Sequence, residues 1–237
     1  DHVHVARRIG TLTLATRSGP LQIVALPWVT RSALFNREEH KHRTIEDLDK
    51  ELVERVAESL AGRIAELDPS VPAVLLGHVH VFGARLGSEQ SFLMGRGPVF
   101  SVSALAHPQI DYVALGHIHH HQVVSPGPPP VVYAGSLSAV DFSEEGQEKG
   151  FVLAEVERGR CTWRFVPVTS RPFLTIAVDA RGDDDPTESV LRAIERQRAR
   201  LPGAIVRVAV RLEQEQQARL DEEKVRRALA DAAFVAS

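Results

Sequence analysis

The sequence predicts a mixed α/β protein, on two observations. Short apolar runs that stop at glycine or proline alternate with stretches of three-to-four-residue apolar periodicity, the grammar of strands joined through helices. Two of those runs also finish in the same way, with a glycine followed by His-X-His, as strands covered on both faces do when they deliver polar chemistry at their carboxyl ends.

Taken in order, Thr11–Leu14 and Leu21–Pro27 flank the turn signal Ser18-Gly19-Pro20 and predict a hairpin. Residues 28–42 form a His-, Arg- and Glu-rich loop. A helix follows, with Ile45, Leu48, Leu52, Val56, Leu60, Ile64 and Leu67 on one stripe and Asp68-Pro69 as its stop. Ala73–His80 (AVLLGHVH) and Tyr112–His119 (YVALGHIH) are the paired buried-type strands. Pro126–Pro130 is a stiff loop, and Val131–Ala134, Gly150–Glu157 and Thr162–Val168 are further strands. From residue 169 the pattern becomes strand (Pro172–Val178), helix (Pro186–Arg200), strand (Ala204–Leu212) and helix (Asp221–Phe234). The Ser170-Arg-Pro junction separates this part as a small domain, giving a division into 1–168 and 169–237.

Composition sets limits. A hydrophobic fraction of 43% in 237 residues supports a sizeable core. No apolar run approaches the roughly 20 residues of a membrane helix, and no basic-then-apolar leader opens the chain. The single Cys161 excludes an internal disulfide framework and suits a reducing cytoplasm. A net charge of −3 lacks the basic excess usual in nucleic-acid binders, so composition alone argues against DNA. The abrupt start at Asp1-His-Val-His-Val, without an initiator methionine, predicts a truncated or processed end.

The histidines carry the chemistry. Neutral imidazole ligates Zn, Mn or Fe through one ring nitrogen while the other is oriented by a neighbour. Residues i and i+2 of an extended segment point to one side, so His117 and His119 converge, and so do His78 and His80. A lone histidine is ordinarily just hydrogen-bonded, which is how His2, His4, His40, His42 and His107 are read. His120 and His121 extend the second cluster as solvated or substrate-facing residues. A structural zinc site usually draws on several cysteines, and this chain has one. A hydrolytic two-metal site needs bridging carboxylates as well. No Asp-X-His or Gly-Asp motif precedes the histidines; Asp111 lies at the wrong end of its strand and Asp141 in a loop.

The stretch from Val71 to Val156 resembles the SbcD family of nuclease subunits. The matching residues are Leu75-Leu-Gly-His78, Val81-Phe-Gly-Ala84 with Ser88-Glu89, Asp111–His119, Val132-Tyr-Ala-Gly-Ser-Leu-Ser138 and Asp141–Gly150 (DFSEEGQEKG). Weaker similarity covers Leu21–Arg31, including Ala25-Leu-Pro-Trp28. Gly-His-X-His alone is shared across calcineurin-like phosphoesterases; the ordered combination is far more specific.

That resemblance implies an α/β fold made of the C-terminal part of a four-layer α/β/β/α metallophosphoesterase sandwich, followed by a small α+β capping domain. It implies two Mn²⁺ ions, with Mg²⁺ or Zn²⁺ as alternatives, and His78, His117 and His119 as ligands. His80 stands where relatives commonly carry a non-ligand residue. It further implies DNA as substrate, an SbcC-type SMC-like ATPase as partner, homodimerisation of the complete protein, and no membrane association. The family's Asp-X-His, Gly-Asp-X-X-Asp and Gly-Asn-His-Asp motifs are missing, so catalytic residues are expected upstream and this chain alone is expected to be inactive. Alternatives are a phosphoesterase for a small phosphodiester and a non-catalytic scaffold that binds DNA or the ATPase. Arg207 and Arg211 alternate on one face of a strand; a solvated face is the simpler assignment than phosphate contact.

Overall fold

Hydrophobic patterning resolves into two units in a computed structural model that describes residues 3–31, 43–87 and 97–236. One unit comprises Asp1–Leu137 and Lys149–Val168, the other Ser138–Glu148 and Thr169–Ser237. Residues 32–42 of the expected loop, the motif residues Ser88 and Glu89, and His2, His40 and His42 lie outside the described residues.

The first unit is built on a six-stranded sheet. Strands β1 (Gly10–Thr16) and β2 (Gly19–Leu26) form the expected antiparallel hairpin, with Gly10 opposite Ala25 and Thr16 opposite Gly19. Strand β3 (Ala73–His78) lies parallel to β2. His80–Val81 forms a separate short strand, β4, parallel to β5 (Val99–Phe100). Strand β6 (Tyr112–Gly116) runs parallel to β3, and β8 (Val131–Tyr133) parallel to β6, while β7 (Gln122–Ser125) closes the edge antiparallel to β8. Parallel neighbours need a crossover, and helix α1 (Ile45–Ala65) supplies the one between β2 and β3.

Helix α1 starts where the Thr44 side chain accepts the Asp47 N–H at 3.1 Å, with Glu46 and Asp47 complementing the positive end of the helix. Its buried stripe, Leu48, Leu52, Val56, Leu60 and Ile64, joins Val24, Leu75, Val113 and Tyr133 in one core on one face of the sheet. Ile45 is 52% exposed and lies outside that stripe. Strands β9 (Gly150–Glu157) and β10 (Arg160–Pro167) form a hairpin on the other side. Their alternating Val152, Ala154, Val156, Cys161 and Trp163 pack on Ile23, Val74, Tyr112 and Val132. The described residues of this unit therefore form helix, six-stranded sheet and two-stranded sheet, a mixed α/β arrangement.

At the amino ends of the strands, polar side chains fasten the layers. The Asp111 carboxylate accepts Ala73 N–H at 2.8 Å, Gly159 N–H at 2.7 Å and the Arg158 guanidinium at 2.6 Å. Asp111 is therefore fully engaged in joining β3 to the β9–β10 turn. In the second unit, a short 3₁₀ helix, Phe142–Glu144, begins at Asp141, whose carboxylate accepts both N–H and O–H of Ser143.

The second unit folds around a three-stranded parallel sheet in the order β11 (Phe173–Asp179), β12 (Ile205–Arg211), β13 (Phe234–Ala236). Helix α3 (Pro186–Arg196) connects the first two strands and is capped by the Asp185 carboxylate; the numbering counts α2 (Val102–Leu105) in the first unit. Leu174, Ile176, Val190, Ile194, Val206 and Leu229 make its core. The helix expected over 221–234 is shorter: α4 covers Glu222–Ala228, and Phe234–Ala236 pairs with Ile205–Arg207 instead. An aromatic and a β-branched residue at Phe234 and Val235 suit a strand, and the N–H of Ala233 reaches Ala204 O at 2.9 Å to start the pairing. No helix among the described residues is long and apolar enough to cross a membrane.

Candidate functional site

Three adjacent parallel strands finish at one edge of the large sheet. Trp28 follows β2, His78 ends β3, and His117 follows β6, whose Gly116 stands opposite His78 in register. Parallelism places all three carboxyl ends together, which is where open α/β sheets hold their ligands.

The rings meet there. His78 and His117 have centroids 5.3 Å apart at 67°. Trp28 lies 4.7 Å from His117, tilted by 31°, and 6.1 Å from His78 edge-on. His117 has φ +94°, a conformation that non-glycine residues rarely adopt and that carries strain of roughly 1–3 kcal/mol. Such strain persists where surrounding contacts over-determine it, and it gathers at functional sites.

Electrostatics favours neutral imidazole here. Burial, and then repulsion from a charge on His119, lower the pKa of His78 below the ordinary histidine value. His80 is lowered by burial too, but it sits in β4, paired with Val99 and outside the large sheet. His121 is turned elsewhere: its ring stacks on Phe165 at 4.2 Å, and Nδ1 lies 2.8 Å from Tyr133 O. His107 Nδ1 accepts Gln109 N–H at 3.1 Å, and His4 is exposed.

Imidazole as a side-chain type suits a borderline divalent metal. Among the described residues, no group of three or more His, Cys, Asp or Glu side chains is placed to hold a metal ion. Asp111 lies at the opposite end of the strands from His78, and the Asp141 carboxylate accepts from Ser143 in its own short helix.

Several residues at this edge had no role assigned from sequence. Trp28 falls in the Ala-Leu-Pro-Trp match, and its only signal was its place just past a strand that neighbours the histidine strands. Tyr133, Gly135, Ser136 and Lys149 lie in the matching motifs without being polar groups of an obvious site. In the second unit, Arg207 is stacked 4.3 Å above the Phe142 ring and donates to Thr175 Oγ1 at 3.1 Å, while Arg211 is exposed on the same face.

Fold and edge together define an α/β protein in which Trp28, His78 and His117 meet at the carboxyl ends of parallel strands. The chain is similar to the SbcD component of the SbcCD nuclease of Staphylococcus saprophyticus, 32% identical over 102 residues that make up 43% of this chain and 26% of that protein. It is also similar to the SbcD component of the SbcCD nuclease of Staphylococcus epidermidis, 29% identical over 149 residues, 62% of this chain and 37% of that protein. Over the matched stretch the chain is an SbcD-type relative. It spans only about a quarter to two fifths of the length of these relatives. No family model matches the chain.

Proposed function

We propose that this chain is part of a metal-dependent DNA nuclease subunit of the SbcD type, and that His78, His117 and His119 supply part of its metal site. The observation that carries the proposal is the convergence of His78 and His117 at the ends of β3 and β6, inside a stretch similar to nuclease subunits. The remaining ligands and the catalytic residues would come from residues outside these 237, as the greater length of the relatives allows. Two Mn²⁺ ions, with Mg²⁺ or Zn²⁺ as alternatives, would neutralise charge developing on a scissile phosphate.

The chain's own residues would orient that site. His78 favours its neutral, ligating form; Trp28 packs on His117 and keeps water from one face of its ring. An SbcC-type ATPase would be the partner, a homodimer the complete assembly, a four-layer sandwich with a small capping domain the complete fold, and the cytoplasm the location. The 237 residues alone would be inactive or nearly so. The exposed Arg211 and the Phe142-stacked Arg207 would touch DNA through backbone phosphates if the small domain takes part.

The net charge of −3 favours a second reading, a phosphoesterase for a small phosphodiester. The two separate in one experiment on the protein that contains this chain. Cleavage of hairpin and linear duplex DNA with Mn²⁺ is compared with hydrolysis of bis(p-nitrophenyl) phosphate. Mn²⁺-dependent DNA cleavage abolished by His117→Ala is expected. Activity on the small ester alone would sink the nuclease assignment, and no metal-dependent activity on either substrate would favour a scaffold.

A further inference from the structure

The two histidine-bearing turns are held by one short segment, Tyr133 to Ser136, together with Lys149. Tyr133 is fully buried in β8. Its hydroxyl donates to Val79 O at 2.6 Å and accepts Val81 N–H at 3.0 Å, so it grips the chain on both sides of His80, immediately after His78. A few residues later the same segment grips the other turn. The carbonyl of His119 accepts Ser136 N–H at 3.1 Å, Ser136 O–H at 3.5 Å and the Lys149 ammonium at 3.3 Å. Lys149 is only 3% exposed.

Sequence identity at the neighbouring glycines follows from these contacts. Gly135 has φ +83°, and a Cβ there would lie 2.9 Å from His121 N and 3.0 Å from His119 O, both backbone atoms. Any side chain would push the histidine turn away. At Gly150 a Cβ would overlap the backbone oxygen of Val166, so only glycine lets β9 begin close against β10, with Val168 N–H on Lys149 O at 2.8 Å. That seating carries Lys149 to His119.

A lysine is costly to bury, and a carbonyl rarely collects three donors. Of these three donors, Lys149 is the one that reaches the carbonyl from outside the Tyr133–Ser136 segment. Beside it stands the strained backbone of His117, two residues upstream, which needs such over-determination. We infer that Tyr133 and Lys149 are positioning residues: Tyr133 sets the turn after His78, and Lys149, with Ser136, sets the turn that carries His117 and His119. The inference rests on the metal-site proposal for its purpose, but not for its geometry. It also gives the Tyr-Ala-Gly-Ser and Lys-Gly motifs a shared physical task.

The experiment uses the metal-free chain with ¹³C-labelled histidine, and compares imidazole resonances in the wild type, Tyr133→Phe, Lys149→Met and Lys149→Arg. Tyr133→Phe is expected to shift His78 and His80 and leave His117 and His119 in place. Lys149→Met is expected to do the reverse, with Lys149→Arg restoring most of the wild-type positions. Mn²⁺ titration of the same proteins is expected to show about tenfold weaker binding in each variant that moves a ligand. Unmoved resonances in a folded Tyr133→Phe or Lys149→Met protein would overturn the inference, and so would one common set of shifts in both variants, the mark of general loosening. If Lys149→Met does not fold, Tyr133→Phe and Lys149→Arg still decide, because Arg keeps the charge and must keep His119 in place. Absent Mn²⁺ binding by the wild type, with the selective shifts present, would count against the metal proposal and leave the positioning inference standing.

Discussion

His78, Asp111 and Gly135 show how differently three matched motif residues act. His78 stands at the carboxyl end of β3 with its ring against His117, whereas Asp111 lies at the amino end of the sheet, its carboxylate shared among Ala73, Gly159 and Arg158. Asp111→Ala would strand two backbone donors and a guanidinium, and a loss of about 3 kcal/mol in denaturant unfolding is expected. His78→Ala removes a partly exposed ring and should cost less than about 1 kcal/mol in the same measurement. Gly135→Ala combines a left-handed backbone with overlap against His119 O and His121 N, for an expected loss of about 2–4 kcal/mol. The distance of Asp111 from the histidine edge was legible from its position at the start of a strand. Its three-way hydrogen bonding was not, because Arg158 and Gly159 are distant in sequence and meet it only through the β9–β10 turn.

Elements read well where one period dominates. The hairpin β1–β2, helix α1 and the cores of β3 and β6 follow from their patterns, but the strands stop at His78 and Gly116, and His117, at φ +94°, leaves the extended path that the i, i+2 argument for His117 and His119 assumed. The limits are equally physical. Strand β7 has no apolar alternation of its own and exists because β8 offers an edge to pair with. His80 leaves the run that contains His78 because Tyr133, more than fifty residues on, captures Val79 and Val81. The last helix is cut short because β12 accepts Phe234–Ala236 as a third strand. Within α1, burial rather than hydrophobicity should govern stability. Leu52→Ala, at a fully buried position, is expected to cost about 3 kcal/mol by thermal or denaturant unfolding, whereas Ile45→Ala, on an exposed first turn, should fall within about 0.5 kcal/mol of wild type.

At the scale of the whole molecule, a mixed α/β frame was legible, as was the arrival of His78 and His117 at the carboxyl ends of its parallel strands. How many side chains come together there was not legible, because three histidines in sequence do not reveal how many groups reach one point in space. Leu76 is 45% exposed in the middle of the sheet, on a central strand of a kind usually covered on both faces. The central claim is that His78, His117 and His119 act as metal ligands at the edge where β3 and β6 end. Titration of Mn²⁺ into the wild-type chain and into His78→Ala, His117→Ala and His119→Ala, followed by calorimetry or by the electron paramagnetic resonance of free Mn²⁺, tests it most directly. Weak binding by the wild type that falls at least about tenfold in each variant, each still folded, is the expected result. Equal affinity in all four proteins would contradict the account.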